Sequence, residues 1–299
     1  MLDSSSFGMV RDVLDDLLSE VYSGTWVDVI RCELKNLSDG YRGLSYGGSV
    51  NYREIKTCFA YLYCYMAAHA NAVYMCIRYT PALRDLFNKP SVHVSCLGGG
   101  PGSDFLGMLK FMAFCGVQTE LTCYTYDKET RWKAVWDCLL NILYPSSLTL
   151  PGDYQFRTFD VTETKNWKKY PDLEQSDLFT MIFFLSDLLS KKDQAERFFL
   201  DLFKRAKSGA FFLFVDNHFG GSEKWFDEMI AAHNTSYRVC QPGYITCEDL
   251  RDDIMLRLES DEQVIDLGPY YQRLRRPGEQ HAAEPRQRLR VNFRICHKL

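Results

Sequence analysis

The sequence of 299 residues has no C-x-x-C pair among its eleven cysteines, and its six histidines stand at no metal-ligand spacing to one another or to cysteine. A zinc site is therefore not expected. The cysteine count is odd and several lie inside apolar runs (Cys58, Cys64, Cys96, Cys123), which reads as reduced thiols acting as small hydrophobes in a cytosolic or nuclear protein. The start, Met-Leu-Asp-Ser-Ser-Ser-Phe, lacks the basic residues and apolar stretch of a secretory signal, so none is expected. A net charge of only -4 gives no global attraction to nucleic acid or to an anionic membrane. There is no internal repeat and no low-complexity tract. Hydrophobic residues at 46% and charged residues at 25% are ordinary soluble usage, which excludes a disordered chain, a collagen-like chain and a coiled-coil rod. The length suits one core with an added cap or arm.

The N-terminal third reads as helical. Val10, Val13, Leu14, Leu17, Leu18 and Val21 recur at three- and four-residue steps, one stripe of an amphipathic helix. A second helix carries Trp26, Val29, Ile30, Leu34 and Leu37 and is expected to stop at Ser38-Asp39-Gly40. Tyr41 to Val50 is a loop rich in glycine and tyrosine. Tyr52 to Tyr79 follows as one helical stretch, uncharged from Cys58 to Ile77 and long enough to raise a membrane crossing. Four tyrosines, His69 and Asn71 inside that span argue instead for a helix buried within the protein. Pro81 ends it, and a short helix to Phe87 precedes the break at Asn88-Lys89-Pro90.

Beyond Pro90, apolar runs alternate with helical stretches, the pattern of β-α-β units building a parallel sheet. Expected strands are Val92–Leu97, Glu120–Tyr126, Tyr154–Phe159, Leu178–Leu185, Ala210–Val215, Tyr237–Cys240 and Arg290–Cys296. Expected helices between them are Asp104–Phe114, Lys128–Ile142, Lys191–Lys207 and Ser222–His233. The expectation is an α/β fold: residues 1–90 form a helical cap, and residues 91–299 form a domain with a seven-stranded, mostly parallel sheet and helices on both faces.

The most informative segment is Val92-His-Val-Ser-Cys-Leu-Gly-Gly-Gly-Pro-Gly-Ser-Asp104, a buried strand running through glycines into a helix. Glycines there let the backbone turn tightly and approach a ligand, and the free amides of the next helix start face the same crevice. Ligands of open α/β sheets bind outside the carboxyl ends of the strands. Gly98, Gly100 and Gly102 make G-x-G-x-G, while Ser103 nearly completes the dinucleotide pattern G-x-G-x-x-G/A, so glycine spacing leaves a nucleotide-dependent oxidoreductase open.

Leu97-Gly-Gly-Gly-Pro-Gly102, together with Asp127 closing Leu-Thr-Cys-Tyr-Thr-Tyr-Asp and Asp160 closing Phe-Arg-Thr-Phe-Asp, resembles the class I S-adenosylmethionine-dependent methyltransferases. The resemblance covers about residues 91–299 and implies a Rossmann-like sheet and S-adenosylmethionine as cofactor, with S-adenosylhomocysteine as product. It implies that Gly98, Gly99, Gly100, Pro101 and Gly102 lie against the methionine part, Asp127 with Lys128 takes the ribose, and Asp160 with Val161 takes the adenine. Leu185-Ser186-Asp187-Leu188 would then face the transferred methyl, with Ser186 on the cofactor and Asp187 in a catalytic position. The chain departs from the family at Cys96, where an acid commonly precedes the first Leu-Gly, and Asp104 is the expected substitute. Beside these implied roles stand plainer ones: Asp127 as cap of a helix starting at Lys128, Asp160 in a solvated turn, Asp187 as a helix cap.

Direct displacement from a sulfonium asks the protein to align the nucleophile and, where it carries a proton, to supply a base. No Pro-Pro-aromatic follows the fourth strand, no cysteine lies between Cys138 and Cys240, and the fifth strand runs into Val215-Asp-Asn-His-Phe-Gly without a lysine. By resemblance, these three absences disfavour base-amino, base-C5 and ribose-2'-oxygen methylation. His218 is the expected general base, or else a loop histidine facing solvent. From Arg273 onward eight basic residues face two acids, so segment 273–298 could contact RNA or phosphate, or be a solvated loop before the last strand. The expected function is methyl transfer to an unidentified small molecule, protein or RNA; the alternative is a non-catalytic sensor or scaffold that binds the same cofactor.

Overall fold

Alternating side chains of β4 (Leu178–Ile182) and β5 (Phe211–Asn217) divide between two apolar clusters, because successive residues of a strand point to opposite faces. Leu178, Ile182, Leu213 and Val215 join one cluster; Phe179, Met181, Phe212 and Phe214 join the other. Both faces are thus covered, which is why these strands read as continuous apolar runs. The computed structural model describes residues 6–21, 26–43, 50–143, 152–163, 170–218, 220–232, 237–245, 270, 273–274, 285–286 and 289–299.

The sheet has the order β3-β2-β1-β4-β5-β7-β6, with β1 Ser91–Leu97, β2 Glu120–Asp127, β3 Gly152–Thr158, β6 Tyr237–Ile245 and β7 Val291–Lys298. Strands β1 to β5 pair in parallel, and β7 runs antiparallel between β5 and β6. The chain builds outward from β1 to β3 and then returns to place β4 on the other side of β1. That reversal opens a crevice at the carboxyl ends of β1 and β4.

Among the described residues the sheet is surrounded by α1 Ser6–Val21, α2 Trp26–Gly43, α3 Ile55–Tyr61, α4 Ala67–Tyr79, α5 Pro81–Phe87, α6 Ser103–Cys115, α7 Trp132–Leu143, α8 Leu185–Leu188, α9 Lys192–Arg205 and α10 Ser222–Ala231. Apolar residues of α1 to α7 share one cluster with Val92, Val94, Leu121 and Leu213 of the sheet. The other face is covered by α9 and α10 through Phe198, Phe199, Phe203, Trp225 and Phe226. Among the described residues no helix is long and apolar enough to cross a membrane.

Several boundaries differ from the expected ones, each for a local reason. Helix α2 runs past Ser38-Asp39-Gly40 to Gly43, where Tyr41 packs edge-on against Tyr65 at 5.2 Å. The stretch from Tyr52 to Tyr79 is not one α-helix. Leu62–Met66 is a π turn between α3 and α4, with hydrogen bonds reaching one residue further than in an α-helix. Helix α4 then lies so close to α6 that a side chain at Gly107 would strike the Ala70 carbonyl and Val73. Strand β4 ends at Ile182, three residues early, because Phe183 adopts φ +52 and the chain turns into α8. Helix α7 begins at Trp132 rather than Lys128.

Candidate functional site

The crevice is a cleft of about 390 Å³, within the range of small-molecule sites. Of the expected site residues, Gly98, Gly100, Pro101, Asp127, Lys128, Asp160, Val161 and Asp187 line it. Gly99, Gly102, Asp104, Ser186 and His218 do not. Gly98, Gly100 and Gly102 have φ of +64, +46 and +93, backbone that glycine adopts without strain. The three have different neighbours. A side chain at Gly98 would enter the Phe184 ring, and one at Gly102 would enter the Trp136 indole. At Gly100 it would stand 3.5 Å from Trp132 Nε1 and 3.8 Å from Asp127 Oδ2, on open cleft wall. Gly99 is closed in by Cys96 and Thr125.

Asp127, at the end of β2, ties the loops together. Its Oδ2 accepts from Gly100 N at 3.1 Å and its Oδ1 from Glu129 N at 2.8 Å. The second bond makes a turn after β2, so Asp127 does not cap α7, which starts five residues later. Burial pushes its carboxyl up to about 6, against the two amides and Lys128, which hold it down. Asp160 makes a comparable turn, accepting from Thr162 N at 2.9 Å and Thr162 Oγ1 at 2.7 Å.

Asp104 lies beneath the glycine turn, where its Oδ2 accepts from the Thr180 hydroxyl of β4. Desolvation raises it to about 7. It therefore braces the loop and does not present a carboxylate to the cleft as the substitute for the missing acid. Cys96 faces inward, with its Sγ 3.6 Å from that of Cys123. Ser186 donates its backbone N–H to Asp216 Oδ2 at 2.8 Å, which anchors α8 to the end of β5. Asp216 also accepts from Asn217 N at 2.7 Å, and burial raises it to about 6.

Asp187 lies in the first turn of α8, where no side-chain cap bond forms. Its Oδ1 is sealed from solvent and has no hydrogen-bond partner among the described residues. Desolvation first, then the neighbouring Asp216 and Asp127, push its carboxyl up to about 8. His218 is turned away: its Nδ1 is 3.0 Å from Asn292 Oδ1 on β7, so the expected general base is not at the cleft. Among the described residues no cluster of three His, Cys, Asp or Glu could hold a metal ion.

The N-terminal helices supply walls that no motif announced. Tyr52 and Tyr61 line the cleft with Trp132, their rings 5.2 and 5.4 Å from its indole. Tyr52 also shares a hydrogen bond with Tyr41, and Tyr61 one with His69 Nδ1 at 3.0 Å. Burial holds all three tyrosine hydroxyls well above their ordinary range. His69 stacks on Phe183 with centroids 3.8 Å apart, and burial drives its imidazole down to about 3, neutral. Phe183 combines that stack with its left-handed backbone, a strained residue at the cleft floor. The tyrosine-rich stretch around residue 41 was the one sequence signal for this wall; residues 44–49 of it lie outside the described residues.

In the basic segment 273–298, four of the described cations contact the protein, and Arg290 is exposed. Arg273 lies over Trp26, Arg286 over Tyr65, Arg294 forms a two-pronged pair with Asp227, and Lys298 donates to three carbonyls at the end of α9. Arg275, Arg276 and Arg288 lie outside the described residues.

The fold and cleft define a doubly wound α/β protein with a crevice at its switch point. No family model matches the sequence, and no curated protein does. Among solved structures the chain is similar to S-adenosylmethionine-dependent methyltransferases. One is the plantazolicin methyltransferase solved with S-adenosylhomocysteine (12% identical, TM-score 0.38, 91% of this chain and 98% of that one). Another is the precorrin-6y C5,15-methyltransferase of Geobacter metallireducens (12%, TM-score 0.39, 73% and 86%). A third is a protein of Streptococcus mutans assigned to the same class (8%, TM-score 0.43, 73% of this chain), of whose length this chain spans 47%. At such identities and TM-scores, what this chain does has to be read from its own cleft.

Proposed function

We propose that the protein is an S-adenosylmethionine-dependent methyltransferase. The observation that carries this reading is the Asp127 carboxylate at the strand end, bonded to Gly100 N across a glycine turn whose open face forms the cleft wall. The residues present suit the cofactor. Gly98 and Gly100, beside Pro101, offer a wall without protruding side chains to its methionine part, with Gly99 and Gly102 fixing the turn behind them. Asp127 retains lone pairs for the ribose hydroxyls, with Lys128 at the mouth. Asp160, Val161 and Phe159 form the adenine end, where an apolar wall and one acceptor stand side by side. Asp187 lies at the reacting end, with Ser186 behind it.

When bound, the cofactor supplies a methyl group on a cationic sulfur. The protein's part is to orient, to exclude water and to balance charge. The carboxyls of Asp127 and Asp216 at the sheet edge, pushed up only to about 6 and so ionised at neutral pH, favour a cation there. The aromatic wall of Tyr52, Tyr61 and Trp132 adds ring faces that attract positive charge. Isothermal titration of the purified chain with S-adenosylhomocysteine tests the reading: saturable binding supports it, and no binding refutes it.

A second reading, cofactor binding without turnover, is favoured by the position of His218 at Asn292 instead of the cleft. Transfer of labelled methyl from S-adenosylmethionine to any acceptor would end it.

A further inference from the structure

The wall formed by Tyr52, Tyr61, Phe183, Asp187 and Leu188 is not used by the glycine turn, Asp127 or Asp160. This inference rests on the methyltransferase reading and concerns what occupies that remaining part of the cleft. Its centre is an anomaly. Asp187 Oδ1 is buried without a donor, in a protein whose neighbouring acids Asp104, Asp127 and Asp216 each have one or more. A buried acceptor left unpaired costs stability, and the same carboxyl group lines the cleft, where a ligand donor can meet it.

The surroundings define the donor. Tyr52 and Tyr61 line it with aromatic rings, a type of wall that favours a cation over an anion. Asp216 at the end of β5 and Asp127 at the end of β2 raise the negative potential at the same point, while Lys128 opposes it from the mouth. The other lining cations, Arg53, paired with Glu129 at 3.9 Å, and Lys191, are likewise exposed at the rim and away from Asp187. A carboxylate or phosphate acceptor would meet buried acids of its own sign. We propose that this part of the cleft is the methyl-acceptor pocket and that the acceptor is a basic amine whose nitrogen donates to the Asp187 carboxyl where it lines the cleft.

The chemistry balances. An ammonium entering the pocket gives one proton to the Asp187 carboxylate, which frees the nitrogen lone pair. That pair forms the new N–C bond as the C–S bond of the sulfonium donor breaks, its electrons remaining on sulfur. A methylated ammonium, a neutral thioether and a protonated Asp187 result, with the same total charge as at the start. The elevated Asp187 carboxyl, about 8, suits a group that must hold a proton at neutral pH.

The experiment uses the full-length chain loaded with S-adenosylhomocysteine and three probes of equal ring size: benzylamine, benzyl alcohol and benzoate. Isothermal titration at pH 7 should show benzylamine binding at least tenfold tighter than either other probe. In buffers of different ionisation heat it should show release approaching one proton per amine bound, because a largely protonated carboxyl gives way to an amine–carboxyl pair sharing one proton fewer. Asp187→Asn should lose both the preference and the proton release. It removes a buried acid without a partner, so its melting temperature should be kept or raised. Equal or tighter binding of benzyl alcohol or benzoate, or undiminished amine selectivity in Asp187→Asn, overturns the inference while the cofactor titration stands. Failure of the S-adenosylhomocysteine titration itself overturns the methyltransferase reading and this inference with it. If Asp187→Asn does not fold, the selectivity and proton release of the unmodified chain decide the matter alone.

Discussion

Removing the Asp127 carboxylate has two separable effects, and the structure sets the size of each. Asp127→Ala releases the Gly100 and Glu129 amides, bonded at 3.1 and 2.8 Å, at the ends of β1 and β2. Bonds to a charged acceptor are worth about 1.5 to 3 kcal/mol each, and both amides lie beside the cleft where water can replace part of that, so a net loss of about 2 kcal/mol is expected. For a chain of this size that lowers the melting temperature by about 3 °C. Loss of the ribose contacts should weaken S-adenosylhomocysteine by about tenfold to a few hundredfold, one or two charge-assisted bonds' worth. Asp127→Asn is no milder, because both carboxylate oxygens already accept backbone N–H groups and the new NH2 must oppose one of them. The free carboxyl titrates at about 6, and ribose hydroxyls donate to its ionised form, so affinity should fall about tenfold between pH 7 and pH 5. That slope should vanish in Asp127→Ala. Calorimetric titration and thermal melting on the same samples check both effects. A melting loss with unchanged affinity, or an affinity flat across that pH range, would refute the ribose contact.

Gly100→Ala should abolish or strongly weaken S-adenosylhomocysteine binding with a melting loss limited to the backbone strain of its φ of +46, since its side chain meets only ordinary contacts; Gly102→Ala should lower melting temperature further, through collision with Trp136 added to its own positive φ. Titration and melting of the two variants separate them, and the reverse pattern would contradict the cleft assignment. The buried carboxyls at about 8 and 7, Asp187 and Asp104, bind protons in the folded state that the unfolded chain has already lost, so the melting temperature of the ligand-free protein should rise as pH falls from 8.5 to 6.5. Below about 6.5 the neutral, buried His69 opposes further gain, because the unfolded chain then takes up its proton; a melting temperature that falls steadily between pH 8.5 and 6.5 would disprove the burial of these acids. His218→Ala should leave S-adenosylhomocysteine affinity within twofold of the unmodified chain, its imidazole being held at Asn292, and a tenfold loss by titration would return it to the cleft.

The α/β class, the mostly parallel sheet and the glycine turn were legible because each has a local signature: apolar runs of strand length, a break at Pro90, and glycines where φ must be positive. The acids at the ends of β2 and β3 were legible for the same reason, since a strand's carboxyl end is a place the chain order itself marks. What was not legible depends on contacts between segments far apart. His218 ends the right strand for a base, yet Asn292, 74 residues on, holds it elsewhere. Asp187 reads either as a catalytic residue or as a helix cap, and nothing in the sequence shows that its Oδ1 is buried without a donor. The tyrosine wall comes from α3 and the residues before it, outside the span that carries the resemblance, and the strained Phe183 has no sequence signal because nothing in phenylalanine favours a left-handed backbone.

The π turn at Leu62–Met66 divides one continuous rod into two independently phased halves. Tyr61, before it, is aimed by the cleft; Ala70 and Val73, after it, are aimed by the close approach to Gly107 of α6. In an unbroken α-helix the angle between those two directions would be fixed at about 100° per residue. The extra residue in the turn sets that angle separately, so either half can be satisfied without rotating the other. Deleting one residue from 62–66 would then force a choice: keep the rod seated on the sheet and swing the tyrosines off the cleft, or keep the cleft and unseat the rod. Length at this one place is thus as strict a requirement as any side chain in the cleft, and a sequence comparison that slides a gap through it would misalign the wall of the cleft while leaving the sheet in register.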